Sequence, residues 1–235
     1  MLIGNYFKNL DIKYKNHFFS GLSFNSLNCK KDDIFFAIKG TKIDGGRFIK
    51  DAIKKGARTI VSNKKFKGLK KNILYIQSNN VRKTLSETSY KVYKNIPKNL
   101  IAVTGTNGKS SIANFYFQIL KINKKKVASI GTLGINTTSN KIAVSNTTLN
   151  PIKLSYYLTK LKEKKIENVI LEASSHGLKQ NRLDGLNFNT AIFTNLSHDH
   201  LDYHKNFKDY LNSKLYLFKK LLKKKSNIIT DISIP

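Results

Sequence analysis

Cysteine is nearly absent. Cys29 is the only one in 235 residues, so neither a disulfide framework nor a cysteine metal cluster can form within the chain, which fits a reducing interior. Acidic residues are scarce as well, 14 against 43 lysines and arginines, giving a formal net charge of +29. Such an excess raises nucleic acid or an anionic membrane as a partner. Arginine, however, is limited to Arg47, Arg58, Arg82 and Arg182, and a surface that clamps phosphates or reads bases favours the planar guanidinium. Lysine spread over the whole length reads instead as a solvated surface that would also draw in polyanionic nucleotides. No apolar run approaches the ~20 residues of a membrane span, and Met1 to Lys15 lacks a basic-then-apolar export pattern. The expectation is a soluble cytoplasmic protein, with no nucleic-acid partner and no stable membrane insertion. A hydrophobic content of 40% suffices for a core and argues against disorder.

The length allows two domains. Residues 1–96 read as a small α/β unit. Asp33 to Ile38, Arg58 to Ser62 and Ile73 to Ile76 are short strands. Phe48-Ile49, Ala52-Ile53 and Ala57 recur at helical spacing, and Val81, Leu85, Thr88 and Val92 mark a helix over 81–95. Asn95 to Asn99 reads as a linker, because Pro97 disfavours helix at Ile96. Residues 97–235 alternate strand and helix. Strands are expected at Ile101–Thr104, Lys126–Ile130, Asn168–Glu172, Thr190–Asn195 and Asn227–Thr230, with helices over 109–122, 151–164 and 207–222. That order implies a doubly wound, mostly parallel sheet with ligands at the carboxyl ends of its strands.

Three clusters carry chemistry. In Ile101-Ala-Val-Thr-Gly105-Thr-Asn-Gly108-Lys-Ser-Ser111 a strand runs through a glycine-bounded loop into a helix. Glycines let backbone N–H groups turn inward, and the helix N-terminus favours phosphate. Lys109 would reach the outer phosphates, and the Ser110 hydroxyl would hold magnesium. Only Thr106 and Asn107 separate the glycines, two residues fewer than in GxxxxGK[ST]. The bland alternative is a helix-capping turn. Glu172 ends an apolar strand, and a buried carboxylate without a partner is costly, which favours a metal-ligand role. Ser174, Ser175, Gln180 and Arg182 follow it. They do not form the G-x-S-x-G elbow of a serine hydrolase. The third cluster, Ser197 to His204, holds three of the five histidines. Tyr203 interrupts what would otherwise be HxHxDH, so a metal-dependent hydrolase using His198, His200 and Asp202 stands as an alternative. A basic nucleic-acid-binding module, suggested by charge alone, stands behind it.

Together, Val103 to Ser110, Asn146-Thr147-Thr148, Glu172 to Leu178 with Gln180 and Arg182, and Thr194 to His204 with Lys214 resemble the Mur ligases, and within them the MurE type. Folylpolyglutamate and cyanophycin synthetases have similar phosphate loops. In the first domain, Asp33-Ile-Phe-Phe-Ala and Asp44-Gly-Gly-Arg-Phe-Ile resemble the family's uridine-binding domain.

The resemblance implies an ATP-dependent ligase that adds a diamino acid, meso-diaminopimelate or L-lysine, to UDP-N-acetylmuramoyl-L-alanyl-D-glutamate through an acyl phosphate. Gly105, Thr106, Asn107, Gly108, Lys109, Ser110 and Ser111 would bind ATP. Ser110 and Glu172 would hold one magnesium, and His200 with a carbamylated Lys214 a second. Asn146, Thr147, Thr148, Ser174, Gln180 and Arg182 would hold the UDP-muramoyl-dipeptide, and Phe24, Ser26, Thr41, Lys42 and Ile43 its uridine end. Lys109, Lys214 and His200 would be the catalytic residues, and the protein a monomer. Two departures stand out. Asn25-Ser26-Leu27 replaces the family's Asp-Ser-Arg, and the resemblance stops inside the central domain. The expectation is a truncated enzyme that does not turn over alone.

Overall fold

The computed structural model describes residues 1–40 and 43–231, in two compact units, Met1–Val92 and Tyr93–Pro235. In the first, β1 (Leu22–Ser23), β2 (Ile34–Phe36), α1 (Ile49–Lys54), β3 (Thr59–Ser62), β4 (Gly68–Lys70), β5 (Ile73–Gln77) and α2 (Val81–Val92) form a five-stranded sheet ordered β1-β2-β3-β5-β4. Its strands are parallel except β4, which pairs antiparallel with β5. Phe35, Ala37, Ile49, Ala52, Ile60 and Ile73 make one core cluster, with Cys29 packed among them as a small apolar group. Asn80 opens α2 by accepting the Lys83 N–H. The helix stops at Val92 rather than at residue 95, four residues before Ile96, which Pro97 biases toward extended backbone.

The second unit follows the alternating pattern. Its elements are β6 (Asn99–Thr104), α3 (Lys109–Ile122), β7 (Val127–Gly131), β8 (Gly134–Thr137), β9 (Lys141–Ile142), α4 (Pro151–Glu163), β10 (Asn168–Glu172), α5 (Ser175–Lys179), β11 (Phe188–Phe193), α6 (Phe207–Lys220) and β12 (Leu222–Thr230). The seven-stranded sheet runs β12-β11-β6-β10-β7-β8-β9. The first five strands are parallel, while β8 and β9 fold back as antiparallel hairpins. The central strands are apolar between their polar ends because helices shield their faces: Val103 of β6, Ala113 of α3 and Ile170 of β10 form one cluster. The chain leaves β6 for β7 and returns to insert β10 between them. The carboxyl ends of β6, β10 and β11 therefore lie side by side at a topological switch point. Among the described residues, no helix is long and apolar enough to cross a membrane.

Candidate functional site

Gly105 and Gly108 shape the loop after β6. Both have positive φ, +149° and +81°, a region that L side chains rarely enter. Thr194 and Asn195, just past β11, brace this loop from outside. The Thr194 Oγ1 hydroxyl donates to Asn107 O at 2.6 Å, and the Asn195 side-chain oxygen accepts the Asn107 N–H at 2.9 Å. From below, the Thr106 hydroxyl meets the phenol of fully buried Tyr210 at 3.0 Å.

Two lysines converge on one carbonyl. Lys109 Nζ donates to Gly105 O at 2.9 Å and to Thr106 O at 2.7 Å, and Lys214 Nζ donates to Gly105 O at 2.6 Å. Burial pushes the Lys109 ammonium below its ordinary range. Burial, helped by the Lys109 charge, pushes Lys214 down from 10.5 to about 7. Each ammonium is desolvated, and each raises the cost of the other.

Glu172, 3% exposed at the tip of β10, is fully engaged. Oε1 accepts the Thr132 N–H at 3.0 Å, while Oε2 accepts the Ser110 hydroxyl at 2.9 Å and the Thr132 hydroxyl at 3.2 Å. Its side chain crosses Gly131, where an added Cβ would overlap the carboxylate. We expect Gly131→Ala to force the carboxylate aside and cost about 1–3 kcal/mol of overpacking. Chemical denaturation checks this, and an unchanged midpoint would refute it.

A hydrogen-bonded network lies beside Glu172. The Thr148 hydroxyl donates to Glu172 O at 2.9 Å and accepts the Ser174 N–H at 2.9 Å. Ser174 caps α5 by accepting the Gly177 N–H at 3.1 Å. Arg182 Nη1 donates to Thr148 O at 2.5 Å, and Nη2 donates to Gln180 Oε1 at 2.8 Å. Thr147 meets Thr132 hydroxyl to hydroxyl at 3.0 Å. Asn146 stands apart, its exposed amide bonded to neighbouring Ser145.

Gly105 to Ser111, Thr132, Thr147, Glu172, Ser174, Ser175, His200 and Lys214 line one cavity of about 280 Å³. His200 enters it from a left-handed residue (φ 51°) whose N–H bonds the Asp199 carboxylate at 2.8 Å.

The metallohydrolase alternative gains no support. The His198 ring stacks on Phe207 with centroids 4.6 Å apart, whereas the His200 ring faces His176. Among the described residues no three His, Cys, Asp or Glu side chains converge on a metal position. Tyr203, the interruption in the motif, stacks on His176. The nucleic-acid-binding alternative rests on net charge alone and gains no support either.

In the first unit, Ser26 is buried at the head of a 3-10 turn capped by Asn25, and Phe24 and Ile43 are exposed. Thr41 and Lys42 lie outside the described residues. A larger concavity of about 1040 Å³ in the same unit, lined in part by Tyr6, Lys13, Tyr14, Tyr75 and Lys91, includes none of Phe24, Ser26 and Ile43. Sequence reasoning left Thr132, Thr194 and Tyr210 without a site role. Thr194 and Asn195 carry a visible signal, the tip of an expected strand. Thr132 and Tyr210 carry none until the sheet order is known.

The comparisons agree with this geometry. The model for the Mur ligase middle domain matches residues 103–233, and that for the Mur ligase family catalytic domain matches 19–103. The UDP-N-acetylmuramoyl-L-alanyl-D-glutamate–2,6-diaminopimelate ligase of Rickettsia prowazekii is 41% identical over 214 residues, covering 89% of this chain and 44% of the relative. That of Clostridium tetani is 39% identical over 224 residues, covering 94% and 45%. A solved ligase of the same name superposes with a TM-score of 0.83 at 26% identity, covering 98% of this chain and 52% of its own. The MurF ligase of Thermotoga maritima, solved with ADP, shares the fold at a TM-score of 0.57 and 21% identity, covering 90% and 45%. The chain spans less than half the length of these curated relatives. It belongs to the Mur ligase family, matching its N-terminal and middle domains, and its curated relatives are MurE ligases.

Proposed function

We propose that this chain is part of a cytoplasmic ATP-dependent acid–amino-acid ligase that joins 2,6-diaminopimelate to UDP-N-acetylmuramoyl-L-alanyl-D-glutamate in peptidoglycan precursor synthesis. One observation carries the reading: the phosphate loop, the Ser110–Glu172 pair and Lys214 open on the cavity that Ser174 and Thr147 also line. The relatives' names favour 2,6-diaminopimelate over L-lysine as the added amino acid. Residues 1–96 would take the uridine end and 97–235 the ATP.

Lys109, released from its own loop carbonyls, would donate to the outer phosphates of ATP. The D-glutamate side-chain carboxylate attacks the γ-phosphorus and ADP leaves. The amine of the diamino acid then attacks the acyl phosphate, and phosphate leaves a tetrahedral intermediate. Arg182 would hold a carboxylate or phosphate of the substrate through its fork, and Thr148 and Ser174 would orient the peptide beside it.

The residues present fit magnesium. The Ser110 and Thr132 hydroxyls each lie within 3.2 Å of the Glu172 carboxylate, and magnesium takes one or two carboxylates with phosphate and water making up the rest. Bound there it would neutralise charge on the transferring phosphoryl group. Lys214 and His200 line the same cavity and would hold a second ion if the lysine carries a carbamate. An amine whose pKa is about 7 is substantially neutral near neutrality and can add carbon dioxide, losing a proton to solvent and becoming an anionic oxygen ligand.

The same depression makes a stability prediction. Between about pH 7 and 10.5 the unfolded chain holds a proton at Lys214 that the folded chain has lost, so stability rises with pH through that window. Below it the buried ammonium is a cost. Lys214→Met should therefore stabilise the chain at pH 6, by on the order of a few kcal/mol, with most of the gain gone at pH 10. Urea denaturation in bicarbonate-free buffer measures this, and a gain independent of pH would refute it.

The reading is tested by incorporation of labelled diaminopimelate into UDP-N-acetylmuramoyl-L-alanyl-D-glutamate by this chain extended to the relatives' length. Product and ADP in equal amounts are expected. ATP hydrolysis without a new amide would overturn it.

A further inference from the structure

His204 was assigned no task in the site, yet it is 2% exposed and hydrogen-bonded at both ring nitrogens. It lies in the short connection before α6, packed edge-on against Tyr203 and Tyr210. Nε2 stands 3.0 Å from the Ser175 hydroxyl, and Nδ1 stands 3.4 Å from the Ser213 hydroxyl. Ser175 follows substrate-side Ser174 at the start of α5, and Ser213 precedes Lys214 in α6. We propose that His204 is a positioning residue, a neutral ring protonated on Nδ1 that accepts the Ser175 hydroxyl proton and so locks the first turn of α5 to the turn of α6 that carries Lys214.

The proton placement follows from the acceptors. The Ser213 hydroxyl donates to Asp209 O at 2.7 Å, and a carbonyl can only accept. Toward His204, then, Ser213 offers a lone pair, and Nδ1 must carry the hydrogen. In a neutral imidazole Nε2 is then bare, and the Ser175 hydroxyl is the donor. The ring is 2% exposed, and burial disfavours its charged form. A Ser–His–Asp nucleophile is not what these residues form. Asp209 lies 3.7 Å from Nδ1 and is committed to Lys179 and the Lys205 N–H. With its proton given to His204, Ser175 turns only lone pairs to the cavity it lines.

The test combines three readouts on the folded chain. Histidine 15N spectra should show a protonated Nδ1 and a bare, hydrogen-bonded Nε2 for His204. The reverse tautomer would overturn the proposal. Amide exchange at Gly177, which donates to Ser174 Oγ, should speed up about tenfold in Ser175→Ala and in His204→Phe, the loss of roughly one hydrogen bond. The double variant should be no worse, because both residues act through one bond. His204→Gln, which returns an acceptor near the Nε2 position, should restore part of the protection. Unchanged exchange in Ser175→Ala, or losses that add, would overturn it, and Ser175→Ala alone decides if His204→Phe does not fold. The third readout, affinity for UDP-N-acetylmuramoyl-L-alanyl-D-glutamate, rests on the function proposed above and should fall in the same order as the exchange data. Wild-type chain that does not bind this ligand would count against that function, while the tautomer and exchange results still decide the role of His204.

Discussion

Gly105→Ala should abolish measurable nucleotide binding and destabilise the second unit. An alanine Cβ at this position would sit on Thr194 Oγ1, with Thr194 Cβ at 3.1 Å and Asn195 N at 3.2 Å. Thr194 cannot step back cheaply, because its backbone N–H bonds Thr104 O and its hydroxyl bonds Asn107 O. The loop would have to move, taking with it the Gly105 carbonyl on which Lys109 and Lys214 converge. We expect about 1–3 kcal/mol of overpacking, and a loss of Mg-ATP affinity of about 100-fold or more, since several aligned N–H donors are lost together. Gly108→Ala is the contrast. Its φ is also left-handed, but the nearest atom to the added Cβ is Thr194 Cβ at 3.8 Å, so its cost is largely the ~1–2 kcal/mol of the backbone region. Equal effects from the two substitutions, read by calorimetric titration and thermal melting, would show that crowding by Thr194 does not set the loop.

Glu172→Gln should separate structure from metal binding. Glutamine keeps the volume, and its oxygen can still accept the Thr132 N–H, while its NH2 can donate to the Ser110 or Thr132 hydroxyl once those rotate. The fold should lose no more than about 1 kcal/mol. Magnesium, by contrast, loses the only carboxylate lining the cavity among the described residues. The gain in ATP affinity on adding magnesium should shrink by at least the ~10- to 100-fold that even an outer-sphere partner costs. A magnesium effect of wild-type size in this variant would remove Glu172 from the metal site.

The loop and its carboxylate were legible because each rests on local chemistry. A strand, two glycines and Lys-Ser can be read in eleven residues, and a glutamate ending Val-Ile-Leu stands out against an apolar strand. The β8 and β9 hairpins were not legible. Residues 134–142 are short and polar, with an alternation too weak to compete with a turn reading. Two-residue β1 and three-residue β4 are sheet edges fixed by their neighbours rather than by their own propensity. Helix α5, five residues with a glycine inside, has no period to detect. Thr132 therefore appears as a Glu172 donor only once β7 and β10 are known to be neighbours. The last helix, expected to reach Leu222, ends at Lys220, and β12 begins where the helix was expected to continue. Part of the expected uridine loop, Thr41 and Lys42, falls outside the described residues.

We propose that the network of Thr148, Ser174, Gln180 and Arg182 beside the phosphate loop is a substrate site. Calorimetric titration with UDP-N-acetylmuramoyl-L-alanyl-D-glutamate tests it most directly, on wild-type chain and on Arg182→Ala. Saturable binding by the wild type is expected, weakened about tenfold or more in Arg182→Ala, the loss of a charge-assisted contact. Folded wild-type chain that gives no saturable heat, or that binds no better than Arg182→Ala, would contradict it.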